Sequence, residues 1–341
     1  MTKAEYDVII YSCKIDLNFE VFMESYANIL RGDEKYVLSL RALYENSGFV
    51  RYRMGKFEEY SLYMDYKNFL GRRNIITVTS PAGRLLALKP DITLSIVKNS
   101  AKAGNTGAVK AYYSENVYAP DPDSDTIKEI PQVGLEYLDP SASGADFAPA
   151  VAEAVILAAK SLDLLGHRWV LCLSHMGFIK AVLDEAGLEG EARATATELL
   201  ADKNSHGLQA LMDGLGRQRA GERLASLAKL GGTPAEVIAA ASELVYSAEA
   251  EEALAELGAL ADALSEITLE KGEIHLDFSV INDVDYYGGA VFKGFVDGVP
   301  RAVLTGGRYD RMAEDLGCGG GAVGFCVLIG ELERLLGGNE V

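Results

Sequence analysis

Apolar positions along this chain change period several times, and each change marks an element. From Glu34 to Ser47, Tyr36, Val37, Leu40, Leu43 and Tyr44 fall at helical spacing until Gly48 interrupts them, which predicts an amphipathic helix. GFVRYRM, NIITVTS (ended by Pro81-Ala82-Gly83-Arg84) and LLALK read as strand-like pieces separated by turns. Pro90 suits a first helical turn, so DITLSIVKNSA after it reads as a short helix. VKAYYSENVY and EIPQVGLEYLD are two β-rich runs joined by turn residues. A helix over AVAEAVILAAKSLDLLG, a strand over RWVLCLSH and a helix around GFIKAVLDEAG follow. Strand character returns from Glu273 in IHLDFSVIND, YYGGAVFKGFV and RAVLTGG, and AVGFCVLIGELERLL closes the pattern as strand then helix. Long strands paired antiparallel, with helices against them, predict an α+β sheet rather than a doubly wound one.

Between Gly187 and Lys271 the composition shifts. The segment has 19 alanines in 85 residues and Tyr246 as its one aromatic, which favours helix and lacks the bulk of a sheet core. Thr233-Pro234-Ala235-Glu236 reads as a capping box opening one of its helices. The predicted organisation is an N-terminal extension (1–33), a core built from 34–186 and 273–341, and a helical insertion (187–272).

The 341 residues are enough to bury a sizeable core, and 49% apolar with 24% charged residues excludes a disordered chain. Fifty acidic against 32 basic residues leave a net charge of −18, so nucleic acid and anionic membrane are poor partners. Cys13, Cys172, Cys318 and Cys326 show no zinc spacing and read as reduced core thiols. No secretory signal or membrane-length apolar run is present, so a cytoplasmic location is expected. Asp121, Asp123 and Asp125 lack the glycine and terminal Glu of a calcium loop, and His175 in LSHMGF reads as a satisfied strand-end residue. Neither a phosphate-cradling GxxxxGK[ST] nor a GxSxG elbow occurs.

ALKPDITLSIVKN, YYSENVYAPDPDSDTIKEIPQVGLEYLD, DVDYYGGAVFKGF and LTGGRYDRMAEDLG, in that order and followed by AVGFCVLIGELERLL, resemble the catalytic domain of histidyl-tRNA synthetase. The resemblance covers roughly residues 35–185 and 273–341 and implies a class II aminoacyl-tRNA synthetase-like antiparallel sheet flanked by helices. It is shared by two families, the synthetase and the ATP phosphoribosyltransferase regulatory subunit, which performs no aminoacylation.

Departures from the synthetase pattern separate the two. The position where the synthetase places an arginine for ATP is Ala119, and the loop after it, through Thr126, holds three carboxylates and no base. Like charges in a cleft of reduced dielectric oppose a triphosphate. The cation expected near the substrate carboxylate is Asn282, and the family's Gly-Leu-Glu-Arg ending is displaced so that Arg334 comes two residues late. The positions for the amino acid itself survive: Asp91, Gln132, Glu136, Tyr286 or Tyr287, and Tyr309, with Gly306 and Gly307 allowing close backbone approach. Gln132 and Glu136 are four apart and share a strand face. Taken singly, Asp91 also reads as a first-turn helix charge, the tyrosines as sheet aromatics and the glycines as a tight turn.

The resemblance therefore implies a noncatalytic regulatory subunit, without cofactor or metal. Its partner would be a short-form ATP phosphoribosyltransferase catalytic subunit, histidine is a candidate ligand, and its core would pair as a homodimer through the helix from Glu34. The alternatives are an amino-acid adenylating enzyme with altered residues, and a synthetase-like protein with an unknown partner. Because the synthetase carries an anticodon-binding domain after its last motif, the end of this sequence at Val341 also favours the regulatory reading.

Overall fold

The computed structural model describes residues 30–65, 75–104, 107–121, 124–281 and 286–337. The expectations for residues 1–29, Cys13, Asp123 and Asn282 lie outside them.

Helix α1 (Gly32–Asn46) opens the described chain, and Gly48, at φ 83°, stands two residues beyond its end. Its apolar face turns inward: Tyr36, Leu40 and Tyr44 are buried, the Tyr36 hydroxyl donates to the Ser161 carbonyl at 2.8 Å, and Tyr44 meets the Ser161 hydroxyl at 3.0 Å. The aromatic face expected to form a homodimer contact is thus packed within the chain, leaving Leu38 of the helix outward.

Strands β1 (Val50–Arg51) and β2 (Phe57–Glu59) are short, and a one-turn helix α2 (Tyr60–Asp65) follows. β3 (Thr77–Thr79) and β4 (Leu85–Leu88) join β2 in a separate sheet of order β2-β4-β3. Helix α3 (Thr93–Ala103) leads to the long strands β5 (Val109–Pro120) and β6 (Ile127–Asp139). After them come helix α4 (Ala148–Asp163), β7 (Trp169–His175) and α5 (Met176–Glu185).

Residues 190–265 hold helices α6 (Gly190–Ala201), α7 (Ser205–Gly214), α8 (Gln218–Leu227), α9 (Pro234–Ser242) and α10 (Ala248–Ser265). One two-residue strand, β8 (Gly231–Gly232), interrupts them. The Thr233 hydroxyl does not accept from the first N–H groups of α9; it donates to Glu236 Oε2 at 2.6 Å instead. Leu254, Leu257 and Leu264 of α10 belong to the same core cluster as α4, α5 and the main sheet.

β9 (Gly272–Asp277), β10 (Ala290–Val296), β11 (Leu304–Arg308), helix α11 (Asp310–Asp315), β12 (Gly321–Leu328) and a terminal turn α12 (Glu333–Leu336) complete the described chain. Among the described residues the main sheet has the order β1-β5-β6-β12-β11-β10-β7-β9-β8. Its pairs are antiparallel except β1 beside β5 and β7 beside β9. Parallel neighbours need a long crossover, and the β7–β9 crossover is the helical stretch 176–265. The sheet is therefore antiparallel through its long central strands, as expected, with a parallel pair towards each edge.

Alternation along β6 separates two cores. Val133 and Leu135 face the layer containing α1 and α4, whereas Leu138 and Glu136 face the side covered by α3, α11 and the small sheet. The candidate site opens on this second side.

Candidate functional site

Asp91, Gln132, Glu136, Tyr286, Tyr287 and Tyr309 all line one cavity of about 340 Å³. That is the lower end of the ~300–1,000 Å³ usual for small-molecule sites. At its floor Glu136 is 1% exposed. Its Oε1 accepts from the Thr93 hydroxyl at 2.6 Å, and its Oε2 accepts from the Tyr309 hydroxyl. Burial pushes the carboxyl pKa up to about 8, with the charge of Asp91 adding to the rise and the two hydroxyls opposing it. Near neutrality the carboxyl therefore holds a proton.

Register explains why a carboxyl fits here. Glu136 stands opposite Ala111 on β5 and Gly324 on β12. A Cβ on Gly324 would come within 1.7 Å of Glu136 Oε2 and 2.6 Å of the Leu135 carbonyl. The glycine makes the room that the carboxyl occupies.

Three phenols form the wall. Tyr286 and Tyr287 have ring centroids 4.5 Å apart, with Tyr309 at 5.7 Å from the first and 6.4 Å from the second. Burial, reinforced by the nearby Asp91 and Glu136 carboxyls, raises the Tyr286 hydroxyl far above its ordinary value, and burial does the same for Tyr309 beside Glu136. Both remain neutral hydrogen-bonding groups. Asp91 Oδ1 accepts from the Leu94 N–H at 2.9 Å, so Asp91 acts as a first-turn helix acceptor and a pocket residue at once.

Gly306 and Gly307 do not line the cavity and do not form a turn; both lie within β11. A Cβ on Gly306 would meet Phe325 Cβ at 2.4 Å, and one on Gly307 would meet Tyr287 Cδ1 at 2.7 Å. At either position a side chain would collide with the neighbouring strands and with Phe292 or Tyr287. Thr93, Tyr113 and Gly324 were not anticipated as site residues. Thr93 stands inside the KPDIT run, but its bond to Glu136 depends on how α3 packs against β6, and Gly324 is marked by cross-strand register alone.

His175 lies elsewhere: Nδ1 accepts from the Phe178 N–H at the start of α5, and Nε2 meets Glu256 Oε2 of α10 at 3.1 Å. Both ring nitrogens are thus used at the junction of strand and helices.

Beyond Gln132 the cavity adjoins a cleft of about 790 Å³; Pro90, Val117, Gln132 and Leu328 belong to both walls. This cleft contains Ala119 and is lined by Asp121, Glu129, Glu331 and Glu333 against Lys128. Arg334 is exposed and absent from the lining. Among the described residues, no cluster of His, Cys, Asp or Glu has metal-binding geometry, and no helix is long and apolar enough to cross a membrane.

A family model described as histidyl-tRNA synthetase matches residues 30–332. The chain is 26% identical over 283 residues to an ATP phosphoribosyltransferase regulatory subunit of Oceanobacillus iheyensis, covering 82% of this chain and 68% of that one. It is 33% identical over 248 residues to a protein of the same description from Polynucleobacter asymbioticus, covering 72% of this chain and 62% of the relative. A Bacillus halodurans structure described as an ATP phosphoribosyltransferase regulatory subunit/histidyl-tRNA synthetase superposes with a TM-score of 0.78 at 24% identity, covering 91% of this chain and 80% of that one. A chain of the ATP phosphoribosyl transferase (HisG:HisZ) complex from Thermotoga maritima superposes with a TM-score of 0.68 at 16% identity, covering 87% of this chain and 97% of that one. At these identities the two structures speak for the fold.

Proposed function

Because the chain belongs to the histidyl-tRNA synthetase family, we propose that it is the noncatalytic regulatory subunit of an ATP phosphoribosyltransferase, acting in the first step of histidine biosynthesis and its feedback by histidine. Its partner is a short catalytic subunit, and the core assembles as a homodimer in the cytoplasm. The relatives from Oceanobacillus and Polynucleobacter carry that description. The observation that carries the reading is an aromatic-walled pocket with a buried carboxyl beside a cleft whose lining sets four carboxylates against one lysine. A triphosphate bringing about four negative charges has no compensating cluster there, whereas an ammonium or imidazole finds partners in Asp91, Glu136 and the tyrosines.

Two results follow from the reading. Purified protein supplied with histidine, ATP and labelled pyrophosphate gives no exchange above background; clear exchange overturns the noncatalytic assignment in favour of an adenylating enzyme. Added to a short phosphoribosyltransferase encoded beside it, the chain raises that enzyme's activity and makes it sensitive to histidine.

The pocket's part in this is tested by Glu136→Gln, which keeps the side-chain shape and removes the ionisable group. Calorimetry with histidine and its analogues is expected to show affinity at least ~10-fold weaker in the variant, the order expected for one charge-assisted hydrogen bond. Unchanged affinity, or no binding of any analogue to either protein, removes the pocket from the mechanism and leaves a scaffold role.

A further inference from the structure

Strand register carries the wall of the cavity outward in one row. Gly134 of β6 stands opposite Cys326 of β12, Cys326 opposite Thr305 of β11, Thr305 opposite Lys293 of β10, and Lys293 opposite Cys172 of β7. Directly paired residues point to one face of the sheet, with Cβ atoms about 4.5–5.5 Å apart. Cys326 and Thr305 line the cavity, so Lys293 is the next side chain in the row beyond its β11 wall.

Lys293 is half-buried, and its Nζ donates to the Ile281 carbonyl at 3.2 Å. Among the described residues no carboxylate pairs with it. Its cross-strand neighbours supply no negative charge: Thr305 is neutral, and burial, reinforced by the charge of Asp277, pushes the Cys172 thiol up to about 11. The carboxylates on the same face of β9 are already engaged, Asp277 with Lys203 at 2.6 Å and Glu273 with His275 at 3.2 Å. Burial accordingly holds the Lys293 ammonium below the ordinary lysine range. Of its three donors one is spent on Ile281, which leaves two for an anion. A half-buried charge without a counter-ion is unfavourable, and an anion brought to it relieves that cost.

The site is thus polarised along the row. Asp91 and Glu136 stand at its α3–β6 end, where an ammonium or imidazole finds partners, and the lysine stands at its β10 end. A zwitterion lying across the sheet has both ends matched.

Resting on the pocket reading above, we propose that Lys293 determines the specificity of this site: its ammonium, with the Thr305 hydroxyl beside it, receives the free carboxylate of the amino-acid ligand and sets histidine apart from imidazole amines that lack one.

Calorimetric titration of the full chain at about pH 7 with L-histidine and with L-histidinol, which carries a hydroxymethyl group in place of the carboxylate, tests this. Wild type is expected to hold histidine about tenfold or more tightly than histidinol, the order of one charge-assisted hydrogen bond. Lys293→Met keeps the apolar stem and removes the charge, so it should weaken histidine by about tenfold or more and leave histidinol within about twofold. Lys293→Arg keeps the charge and should retain most of the preference. A merely structural lysine would move both ligands together. Equal losses for the two ligands in Lys293→Met, no loss for either, or a wild type that does not prefer histidine overturns the assignment and leaves the pocket reading standing; the last of these needs no variant to fold. Binding of neither compound to wild type overturns both.

Discussion

Gly324→Ala is expected to destabilise the protein by about 3 kcal/mol and to abolish ligand binding in the pocket. The added Cβ would lie 1.7 Å from the Glu136 carboxyl and 2.6 Å from the Leu135 carbonyl on the neighbouring strand. The strand cannot retreat, because β12 is paired with β6 on one side and β11 on the other. Glu136 must therefore leave its place between Thr93 and Tyr309, giving up both hydrogen bonds while its surroundings stay buried. Overpacking costs about 1–3 kcal/mol and a stranded buried polar group a similar amount. Denaturant unfolding of the four proteins in a double-mutant cycle checks this: in a Glu136→Ala background the same glycine substitution should cost less, since the contact with the carboxyl is gone and only that with the Leu135 carbonyl remains. A Gly324→Ala protein within about 0.5 kcal/mol of wild type would refute the steric account.

Glu136→Gln is expected to flatten the pH dependence of stability between about pH 4.5 and 8. The carboxyl's ordinary value is 4.5 and burial raises it in the folded protein to about 8. Between those values the folded chain holds a proton that the unfolded chain has released. Stability from this group is accordingly complete below the unfolded value and is lost as pH rises toward the folded one, with a slope of up to about 1.4 kcal/mol per pH unit. The amide cannot titrate and can exchange hydrogen bonds with the same two hydroxyls, so the variant should resemble wild type near pH 5 and exceed it by a few kcal/mol near pH 8. Urea midpoints across that range would show it. Parallel pH profiles for the two proteins would mean that the carboxyl is far better solvated than its burial implies.

Much of the architecture was readable from local pattern, because local pattern is what it depends on. Helix α1 follows from apolar residues at helical spacing, β5 and β6 from β-rich runs of the right length, and the helical character of 190–265 from alanine content. Gln132 and Glu136 could be placed on one face because strand side chains alternate with period two. The loss of the ATP arginine and the acidity of 119–126 are facts of residue identity, legible without coordinates.

Tertiary structure alone decided the rest. Whether the apolar face of α1 met a second copy or its own chain was undetermined until Tyr36 and Tyr44 closed on Ser161 of α4, 125 and 117 residues away. The parallel placement of β9 beside β7 is a matter of how a long helical crossover returns, and strand propensity carries no such information. Gly306 and Gly307 could be read as ligand-contacting or turn residues, yet they lie inside β11 against neighbouring strands, and what a missing Cβ makes room for is set by those strands. The same holds for Gly324 and Ala111, whose smallness beside Glu136 matters only once register brings β5, β6 and β12 together. Residue types named the chemistry available to this pocket; long-range packing fixed which groups meet, how deeply they are buried, and hence which of them hold a proton.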